Sequence, residues 1–392
     1  MIHPKTFQKK LTEKIQIEQE HKVFFTRSLF SKENETLLNA FEDNRPVKAL
    51  VLLDRNLLTF MPKLENTIQS WFENHNDSFV SIPKILELPG GEAIKNDWRY
   101  IEKIWGHIEK EHLCRHSYII AIGGGSLMDA VGFAASTAHR GIRIIRVPTT
   151  CLAQADSGVG VKNGVNRLGK KNWIGNFSIP KCVINDSHFL EHIPYALFRE
   201  GLAEAIKVSL IKKECFFSWI EKNKEAIKLQ KKEVVEELIY QSASLHFDHI
   251  CNSGDPFEIG SSRPLDFGHW SAHKLEQISS FAINHGEAVS IGIAVDICYA
   301  HNIGMLSEID KNRILNLLIH FEFTLYNEHL DDYDTNGKRV VIEGIEEFRE
   351  HLGGELSIPL LTQIGSMKNV HKIDKFKMAQ AFREVKEIHL KQ

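Results

Sequence analysis

Short apolar runs alternate with helical patterns in the first half of the chain. The runs ALVLLD (49–54), SYIIAI (117–122) and IRIIRVP (142–148) each have the length and composition of a buried parallel strand. The other elements predicted in this half are a strand, a turn and a helix start over 81–95, and helices over 61–75, over 96–112 and from the GGGS turn to about Ala138. This alternation predicts a parallel sheet with helices on both faces.

Long helical patterns dominate the chain after about Pro194. They cover residues 197–212, 215–229, 232–250, 264–279, 285–303, 308–321 and 374–390, while the polar stretch 326–340 is expected to form a surface loop or hairpin. We therefore predict an α/β plus α fold, with an α/β domain over 1–190 and a helical domain over 191–392. The cleft between two such domains is a natural place for a ligand.

Composition and charge exclude several classes of function. The chain has 392 residues, 43% of them hydrophobic, and a net charge of −3, which leaves no basic footprint for a nucleic acid. It has no apolar run of the length that a membrane-spanning helix needs. The six cysteines are scattered without a CxxC pair, and no signal peptide is visible. We therefore expect reduced thiols and a cytoplasmic protein.

A glycine-rich turn, Gly123–Gly125, joins a predicted strand to a predicted helix. Glycines let a backbone approach a pyrophosphate, and a helix N-terminus favours its charge, although a tight strand–helix link can have the same sequence. Asp54 ends a strand, where it could bind an adenosine ribose or cap a helix. Glu92 and Lys95 could be a surface pair, and Asp129 could face the cleft or favour the helix dipole.

A carboxylate and two imidazoles occur in three stretches that together suit one divalent metal. They are Glu204 in REGLAEAIK (199–207), His269 in RPLDFGHWSAHKLE (263–276) and His285 in HGEAVSIGI (285–293). Such a set suits Zn²⁺ or a similar ion and leaves positions for substrate. Lys207 lies three residues after Glu204 and His273 four residues after His269, so each pair shares a helix face. A metal and a nicotinamide cofactor around one polyol indicate redox chemistry on a carbohydrate.

Several of these motifs, in this order, resemble the dehydroquinate synthase family of sugar phosphate cyclases. The resemblance rests on GGGS, the run VPTTCLAQADSGVGVKNGVNRLGKKNWIGNFSIPKCVIND (147–186), GLAEAIK, FGHWSAH and HGEAV, and covers roughly residues 50–300. It implies a Rossmann-like domain followed by a helical domain, usually in a homodimer, with bound NAD⁺ and one Zn²⁺ or Co²⁺. A small sugar phosphate is the implied substrate.

The resemblance also implies roles for individual residues. The implied metal ligands are Glu204, His269 and His285. The implied catalytic-pocket residues are Asp156, Lys162, Asn172, Lys207, His273, Asp266 and Arg140, of which Arg140 would reach the phosphate of the partner subunit. The implied NAD⁺ contacts are Asp54, Glu92, Lys95, Gly124, Gly125, Ser126, Asp129, Thr149, Thr150 and Lys171. Lys162, Lys170 and Lys171 could otherwise lie in a solvated loop, but beside glycines and Asn172 they suggest an anion cradle.

The chain departs from the family pattern E-x-G-x-R-x-x-L-N-x-G-H-T-x-G-H. The family arginine aligns with Ser262, with Arg263 one place later, while the asparagine is Asp266 and the threonine is Trp270. A basic residue expected upstream falls at Asp248, beside His249. Loss of these cations disfavours a substrate carboxylate, because burying an unpaired anion is costly.

Three functions are compatible with the sequence. The first is a cyclase that converts sedoheptulose 7-phosphate to a valiolone-type carbocycle with release of phosphate, and its alternative is a divergent 3-dehydroquinate synthase. The second is a metal-dependent polyol dehydrogenase of the glycerol dehydrogenase type, against which the lysine-rich 162–171 region argues. The third is a degenerate cyclase that only binds ligands, which the intact metal triad disfavours.

Overall fold

A computed structural model describes residues 10–43, 45–258, 260, 263–351 and 353–391. The strands are β1 (Val23–Thr26), β2 (Ala49–Asp54), β3 (Lys84–Leu88), β4 (Tyr118–Gly123), β5 (Arg143–Pro148), β6 (Lys162–Arg167), β7 (Lys170–Phe177), β8 (Cys182–Asp186), β9 (Ile358–Gln363) and β10 (Ser366–Val370). The helices are α1 (Thr36–Asn39), α2 (Leu57–Phe60), α3 (Leu64–Asn74), α4 (Ala93–Asn96), α5 (Trp98–Lys110), α6 (Gly125–Thr137), α7 (Tyr195–Lys212), α8 (Glu214–Lys228), α9 (Lys232–Asn252), α10 (His269–Ile278), α11 (His285–Asn302), α12 (Glu308–His320), α13 (Glu343–His351) and α14 (Lys375–His389).

The first half of the chain forms a six-stranded parallel sheet in the order β1-β8-β5-β4-β2-β3. Its central strands are mostly apolar because helices cover both faces, and the buried Arg146 of β5 is an exception. Val51 and Leu53 pack in the cluster that contains α3, whereas Leu50 and Leu52 pack in the cluster that contains α5 and α6. The predicted strands and the two-sided parallel sheet are therefore confirmed.

A crevice for a ligand arises where the strand order reverses. From β2 the chain crosses to β3 on one side and returns to β4 on the other. The connections after β2 and β4 therefore leave in opposite directions, and the gap at their carboxyl ends is the usual ligand site of such sheets. Asp54 ends β2 and Gly123 ends β4, so both lie at this gap.

The second half of the chain is mainly helical and is organised around α11. This helix is buried along most of its length and packs against α7, α10 and α14. The predicted helix 264–279 is wrong at its start, because Pro264–Asp266 form a 3₁₀ turn and α10 begins at His269. Gly268 has a φ of +77°, which is outside the range of a right-handed helix. It therefore separates the 3₁₀ turn from α10.

Two antiparallel hairpins were not predicted. The lysine-rich segment, to which the sequence analysis assigned no strand, forms β6 and β7, which are joined by Leu168 and Gly169 at φ +52° and +71°. Such a two-residue turn with positive φ suits a tight hairpin. The second hairpin is β9–β10. The domain division at 190/191 stays a prediction, and it is supported by the end of β8 at Asp186 and the start of α7 at Tyr195. None of the described helices is both long and apolar enough to cross a membrane.

Candidate active site

The glycine turn lies in the crevice at the N-terminus of α6. A Cβ added to Gly125 would lie 2.6 Å from the Ser157 hydroxyl, and one added to Gly124 would lie 3.3 Å from Thr150 Cγ2. A Cβ on Gly90 would lie 2.2 Å from an oxygen of Asp54. The crevice is thus a backbone-lined slot that larger residues would close. Its N–H groups and helix dipole suit a pyrophosphate, so the residues present fit a dinucleotide.

The predicted NAD⁺ contacts form a connected polar cluster around this slot. The Asp54 carboxylate accepts a hydrogen bond from Asn56 N (2.9 Å), and burial raises its pKa. Glu92 accepts hydrogen bonds from the Ser126 hydroxyl (3.0 Å) and Asn166 Nδ2 (2.7 Å). Such contacts hold the polar side chains of the slot in place before a ligand binds.

Lys95 is not the surface residue that its sequence also allowed. Only 4% of it is exposed, and its Nζ donates to Asp129 Oδ2 at 2.8 Å and lies 3.9 Å from Glu92 Oε1. Thr149 is fully buried and its hydroxyl finds no hydrogen-bond partner among the described residues, whereas the Thr150 hydroxyl accepts from Ala153 N. The structure therefore pairs Lys95 with Asp129 of α6 and places Thr149 and Thr150 against the glycine turn, where Thr149 N donates to the Gly123 carbonyl.

The predicted metal ligands meet between α7, α10 and α11. Glu204, His269 and His285 each offer one ligand atom within 4.8 Å of the others. Glu204 Oε1 lies 3.3 Å from His285 Nε2 and 3.8 Å from His269 Nε2. Glu204 is fully buried, and its Oε2 pairs with the Lys207 ammonium, whereas its Oε1 accepts no well-directed hydrogen bond from any described residue. A buried carboxylate oxygen left in this state fits a cation as its partner.

The other ring nitrogens of the two histidines are held by the protein. His269 Nδ1 lies 3.0 Å from the Phe267 carbonyl, and His285 Nδ1 lies 3.4 Å from Glu276 Oε1. Both contacts favour a proton on Nδ1 and turn Nε2 toward Glu204. This is the arrangement of metal-binding imidazoles, whose outer contacts set tautomer and ring orientation. The residues therefore fit a divalent ion such as Zn²⁺ or Co²⁺.

A second carboxylate–histidine group adjoins the first. Asp156, Glu204 and His246 also offer ligand atoms within 4.8 Å of one another, and His246 Nε2 lies 3.1 Å from Asp156 Oδ1. Here Lys207 supplies the cation, because its ammonium pairs with Glu204 Oε2 and is only 2% exposed. Burial lowers the pKa of Lys207, but Glu204 and Asp156 outweigh it and raise the pKa above its usual value.

His273 stands next to the metal ligands on α10. Its ring lies 5.1 Å from that of His269 and 6.4 Å from that of His285. The residue is exposed by its accessible surface. Desolvation by the surrounding protein, aided by His285, lowers the pKa of His273 to about 4 against the opposing effect of Glu276. His273 is therefore neutral near pH 7 and able to accept a proton.

Lys162 and Asp266 lie at a further part of the cleft with several charged groups. Lys162 Nζ pairs with Glu258 Oε2 at 2.5 Å, and its side chain remains 57% exposed. Arg263 is 15% exposed and turned inward, with Nε 4.0 Å from the same Glu258 oxygen. Burial lowers the pKa of Lys162, but the charges of Asp266 and Glu258 raise it overall. Ser262 lies outside the described residues.

The lysines and Asn172 of the hairpin do not share one cradle. Lys171 Nζ donates to Glu276 Oε1 at 2.7 Å and lies 3.9 Å from Glu92, so it links the nucleotide slot to α10. Lys170 instead lies over the Trp173 ring, and Asn172 is exposed at φ +51°. The expected cradle is therefore corrected: because the strand pleat sends neighbouring side chains to opposite faces, each lysine has its own partners.

Arg140 lies apart from the other predicted residues within the chain. It follows the C-terminal end of α6, about 20 Å from the glycine turn at the other end of that helix. Its backbone is left-handed, at φ +62°, and its side chain is exposed.

Sequence reasoning missed three residues of this site. Glu276 lies three residues after His273 and seven after His269, a helical spacing that places all three on one face. Glu258 opens the family pattern but was not assigned a role. His246 had no local signal, because its contact with Asp156 joins segments 90 residues apart.

Comparison with known proteins agrees with this architecture. Residues 85–200 match the family described as 3-dehydroquinate synthase N-terminal, and residues 201–336 match 3-dehydroquinate synthase C-terminal. The 3-dehydroquinate synthase of Sulfurisphaera tokodaii is 33% identical over 301 residues, which are 76% of this chain and 82% of that protein.

Two solved structures share the fold. The structure of 2-epi-5-epi-valiolone synthase from Streptomyces hygroscopicus subsp. jinggangensis, with NAD⁺ and Zn²⁺ bound, has a TM-score of 0.85 at 22% identity and covers 96% of this chain and 100% of that chain. A 2-deoxy-scyllo-inosose synthase complexed with carbaglucose-6-phosphate, NAD⁺ and Co²⁺ has a TM-score of 0.71 at 20% identity and covers 92% and 96%. By its sequence matches over both halves, the chain belongs to the 3-dehydroquinate synthase family of sugar phosphate cyclases, which are lyases that act on phosphate-bearing sugars.

Proposed function

We propose that the protein converts sedoheptulose 7-phosphate to a valiolone-type carbocycle. The net reaction releases phosphate by β-elimination and closes the ring by an intramolecular aldol step, with no net oxidation. When bound, NAD⁺ would accept a hydride from the sugar and return it, and the divalent ion would polarise the sugar's hydroxyl and carbonyl oxygens. Support for these cofactors comes from the slot around Gly124 and from Glu204 Oε1, which accepts no hydrogen bond from a described residue and lies close to both histidines.

The chain's own residues have distinct tasks in this proposal. Glu204, His269 and His285 hold the ion. Lys162, which remains exposed to the cleft, binds the phosphate by a charge-assisted hydrogen bond. A neutral ring nitrogen of His273 takes up a proton from a sugar hydroxyl.

The observation that carries the choice of substrate is the free carboxylate of Asp266. Its charge acts on Lys162, whose pKa it raises, and no described residue donates a hydrogen bond to its side chain. Of the nearby cations, Lys162 is assigned to the phosphate in this proposal, and Arg263 faces Glu258 with its Nε 4.0 Å from Oε2. A substrate carboxylate would meet Asp266 without a free cation to offset it, and like charges buried together are costly. A hydroxymethyl group could instead donate to Asp266.

The alternative is a divergent 3-dehydroquinate synthase, and the orientation of Arg263 favours it. Its side chain is turned into the cleft, where its guanidinium could leave Glu258 and bind a substrate carboxylate. The relatives that carry this activity in their names agree with it. The two proposals differ in the residue that contacts this end of the substrate: Asp266 would bind a hydroxymethyl group, whereas Arg263 would bind a carboxylate.

Comparing kcat/KM for phosphate release from sedoheptulose 7-phosphate and from the acidic heptulosonate phosphate tests the choice. We expect the wild type to prefer the neutral sugar. Asp266→Asn should change the ratio of the two kcat/KM values in favour of the acidic sugar by about 10- to 100-fold. This is the effect expected from removing one negative charge about 6 Å from the substrate carboxylate in a partly screened site. Arg263→Gln is the matched control and should leave the neutral sugar's kcat/KM almost unchanged. A wild type that prefers the acidic sugar and loses it in Arg263→Gln would establish the alternative.

We further propose a homodimer in which Arg140 contacts the substrate phosphate of the partner subunit. Its distance from the crevice of its own chain and its exposed position support this arrangement. Mixing inactive Arg140→Ala subunits with inactive Lys162→Ala subunits should restore about a quarter of the wild-type activity per active site, because half of the dimers are mixed and each has one intact site. No recovery from subunits shown to exchange would contradict the arrangement.

A further inference from the structure

A fully buried guanidinium lies beneath the hairpin that carries Lys162. Arg146 is in the middle of the sheet, on β5, with no exposed surface. Its Nη1 donates to the carbonyls of Gly160 (2.5 Å) and Gly158 (3.2 Å). Its Nη2 donates to the Lys162 carbonyl (3.2 Å) and to Asn163 Oδ1 (2.7 Å). Every acceptor belongs to one short segment, 158–163.

This cation has no carboxylate partner within hydrogen-bond distance among the described residues. Burial lowers the pKa of Arg146 to about 10, and Asp129 opposes the shift only from a distance. The group is therefore still charged at neutral pH. A buried charge without an ion pair is destabilising unless its hydrogen bonds compensate, and an apolar side chain in β5 would fill the core without that cost. Packing of the core therefore does not explain why a charged Arg146 stands at this position.

The segment that Arg146 binds connects two parts of the active site. It begins just after Asp156, which contacts His246, and it leads into Lys162 at the start of β6. Asn163 continues the contacts, because its Nδ2 donates to Asn176 Oδ1 (3.3 Å) in the facing strand β7. The guanidinium therefore fixes the base of the hairpin from below. One of its hydrogen bonds goes directly to the backbone carbonyl of Lys162, whose amine is assigned to the phosphate.

We propose that Arg146 is a positioning residue whose buried guanidinium holds segment 158–163, so that the Lys162 ammonium faces the substrate phosphate. The role assigned to Lys162 rests on the proposed function, whereas the backbone contacts do not. A close approach of α6 supports the same device. A Cβ on Gly132 would lie 1.7 Å from Asn163 Oδ1 and 3.3 Å from Arg146 Nη2, so an alanine at this position must displace the Asn163 amide.

The first experiment measures hydrogen–deuterium exchange and needs no activity. We compare the wild type with Arg146→Gln, which removes the charge, and with Gly132→Ala, which displaces Asn163 and keeps the charge. Both variants should speed amide exchange at least about tenfold in 158–177 and leave β4 unchanged, since opening is local. Unchanged exchange in 158–177 in a folded variant would overturn the proposal. If Arg146→Gln does not fold, Gly132→Ala decides the same question.

The second experiment is a double-mutant cycle on phosphate release. Arg146→Lys should lower kcat/KM about tenfold in the wild-type background but less than about twofold in Lys162→Gln, because residues that act through one another are not additive. The Kd of NAD⁺ should change less than about threefold, so that a general loss of structure is excluded. Equal effects in both backgrounds would mean that Arg146 is merely structural.

The two proposals fail in different ways. A wild type that releases no phosphate from either sugar refutes the proposed function, and the exchange experiment still decides the role of Arg146. An active wild type with additive effects and unchanged exchange refutes only the role of Arg146.

Discussion

The carboxylate of Glu276 should control the affinity of the metal site although it is not a ligand. Only 2% of Glu276 is exposed, and one of its oxygens, Oε1, contacts both His285 Nδ1 (3.4 Å) and Lys171 Nζ (2.7 Å). It therefore orients the His285 ring, whose Nε2 faces Glu204 at 3.3 Å. Glu276→Gln keeps the shape and an acceptor oxygen but removes the charge, while Glu276→Ala removes both.

The expected loss follows from the distances. Removing an outer partner of a metal-bound imidazole lowers metal affinity by about 10- to 100-fold, or about 1.4–2.8 kcal/mol. Because the glutamine oxygen can still accept from Nδ1, Glu276→Gln should lie near the tenfold end. Glu276→Ala should lie near the 100-fold end, since the imidazole loses its only described side-chain anchor on that nitrogen.

The assay is competition for Zn²⁺ between the apoprotein and a chromophoric chelator of known affinity, at fixed pH. Lys171→Met is the matched control, because Lys171 contacts the same oxygen of Glu276 but does not contact His285. We expect its Zn²⁺ Kd to change less than about threefold. Thermal melting of each apoprotein shows whether the fold is kept. An Ala variant that melts like the wild type and binds Zn²⁺ equally well would refute this reasoning.

Three further predictions concern the metal, the redox cycle and acid stability. His269→Ala and His285→Ala should each lose metal and activity together while the fold remains, and full metal occupancy in both variants would disprove the ligand assignment. Because the hydride returns to the same molecule, free NADH should not accumulate during turnover; steady growth of its absorbance with a polyol would establish a dehydrogenase. Partial burial opposes the shift, but hydrogen bonds from Lys386 and Tyr326 lower the pKa of Asp331 from 3.8 to about 2. This carboxylate therefore contributes about 2 kcal/mol above pH 4 that is lost as the pH falls toward 2. In Asp331→Asn the free energy of unfolding should fall less steeply between pH 4 and pH 2 than in the wild type. An unchanged pH dependence in this range would contradict the assignment.

The periodicity of the chain was sufficient to predict most elements. ALVLLD became β2, and the glycine turn became the N-terminus of α6, because both patterns act within a few residues. The metal ligands were also predictable, since each lies in a short motif whose helical spacing aims it into one cleft. Those motifs converge in the structure between α7, α10 and α11.

The hairpin and the start of α10 were not predictable in the same way. The strand sequence KNGVNR has few apolar residues, so it has no alternation for a pattern search to detect. Its strand conformation comes from pairing with β7 and from the bonds of Arg146 beneath it. The predicted helix start at 264 failed because Gly268 adopts a left-handed backbone that periodicity does not reveal.

The sequence alone was sufficient to predict the parallel sheet and most of its elements, which follow from local spacing. It was also sufficient to predict the family and the candidate metal ligands, which follow from short motifs in a characteristic order. Only the tertiary structure decided which charges meet. It turned Lys162 toward Glu258, placed Lys171 on Glu276 and left Arg146 buried without an ion pair. Such choices join segments that are far apart in the chain, and they depend on burial and on competition among many possible partners, which no local pattern contains.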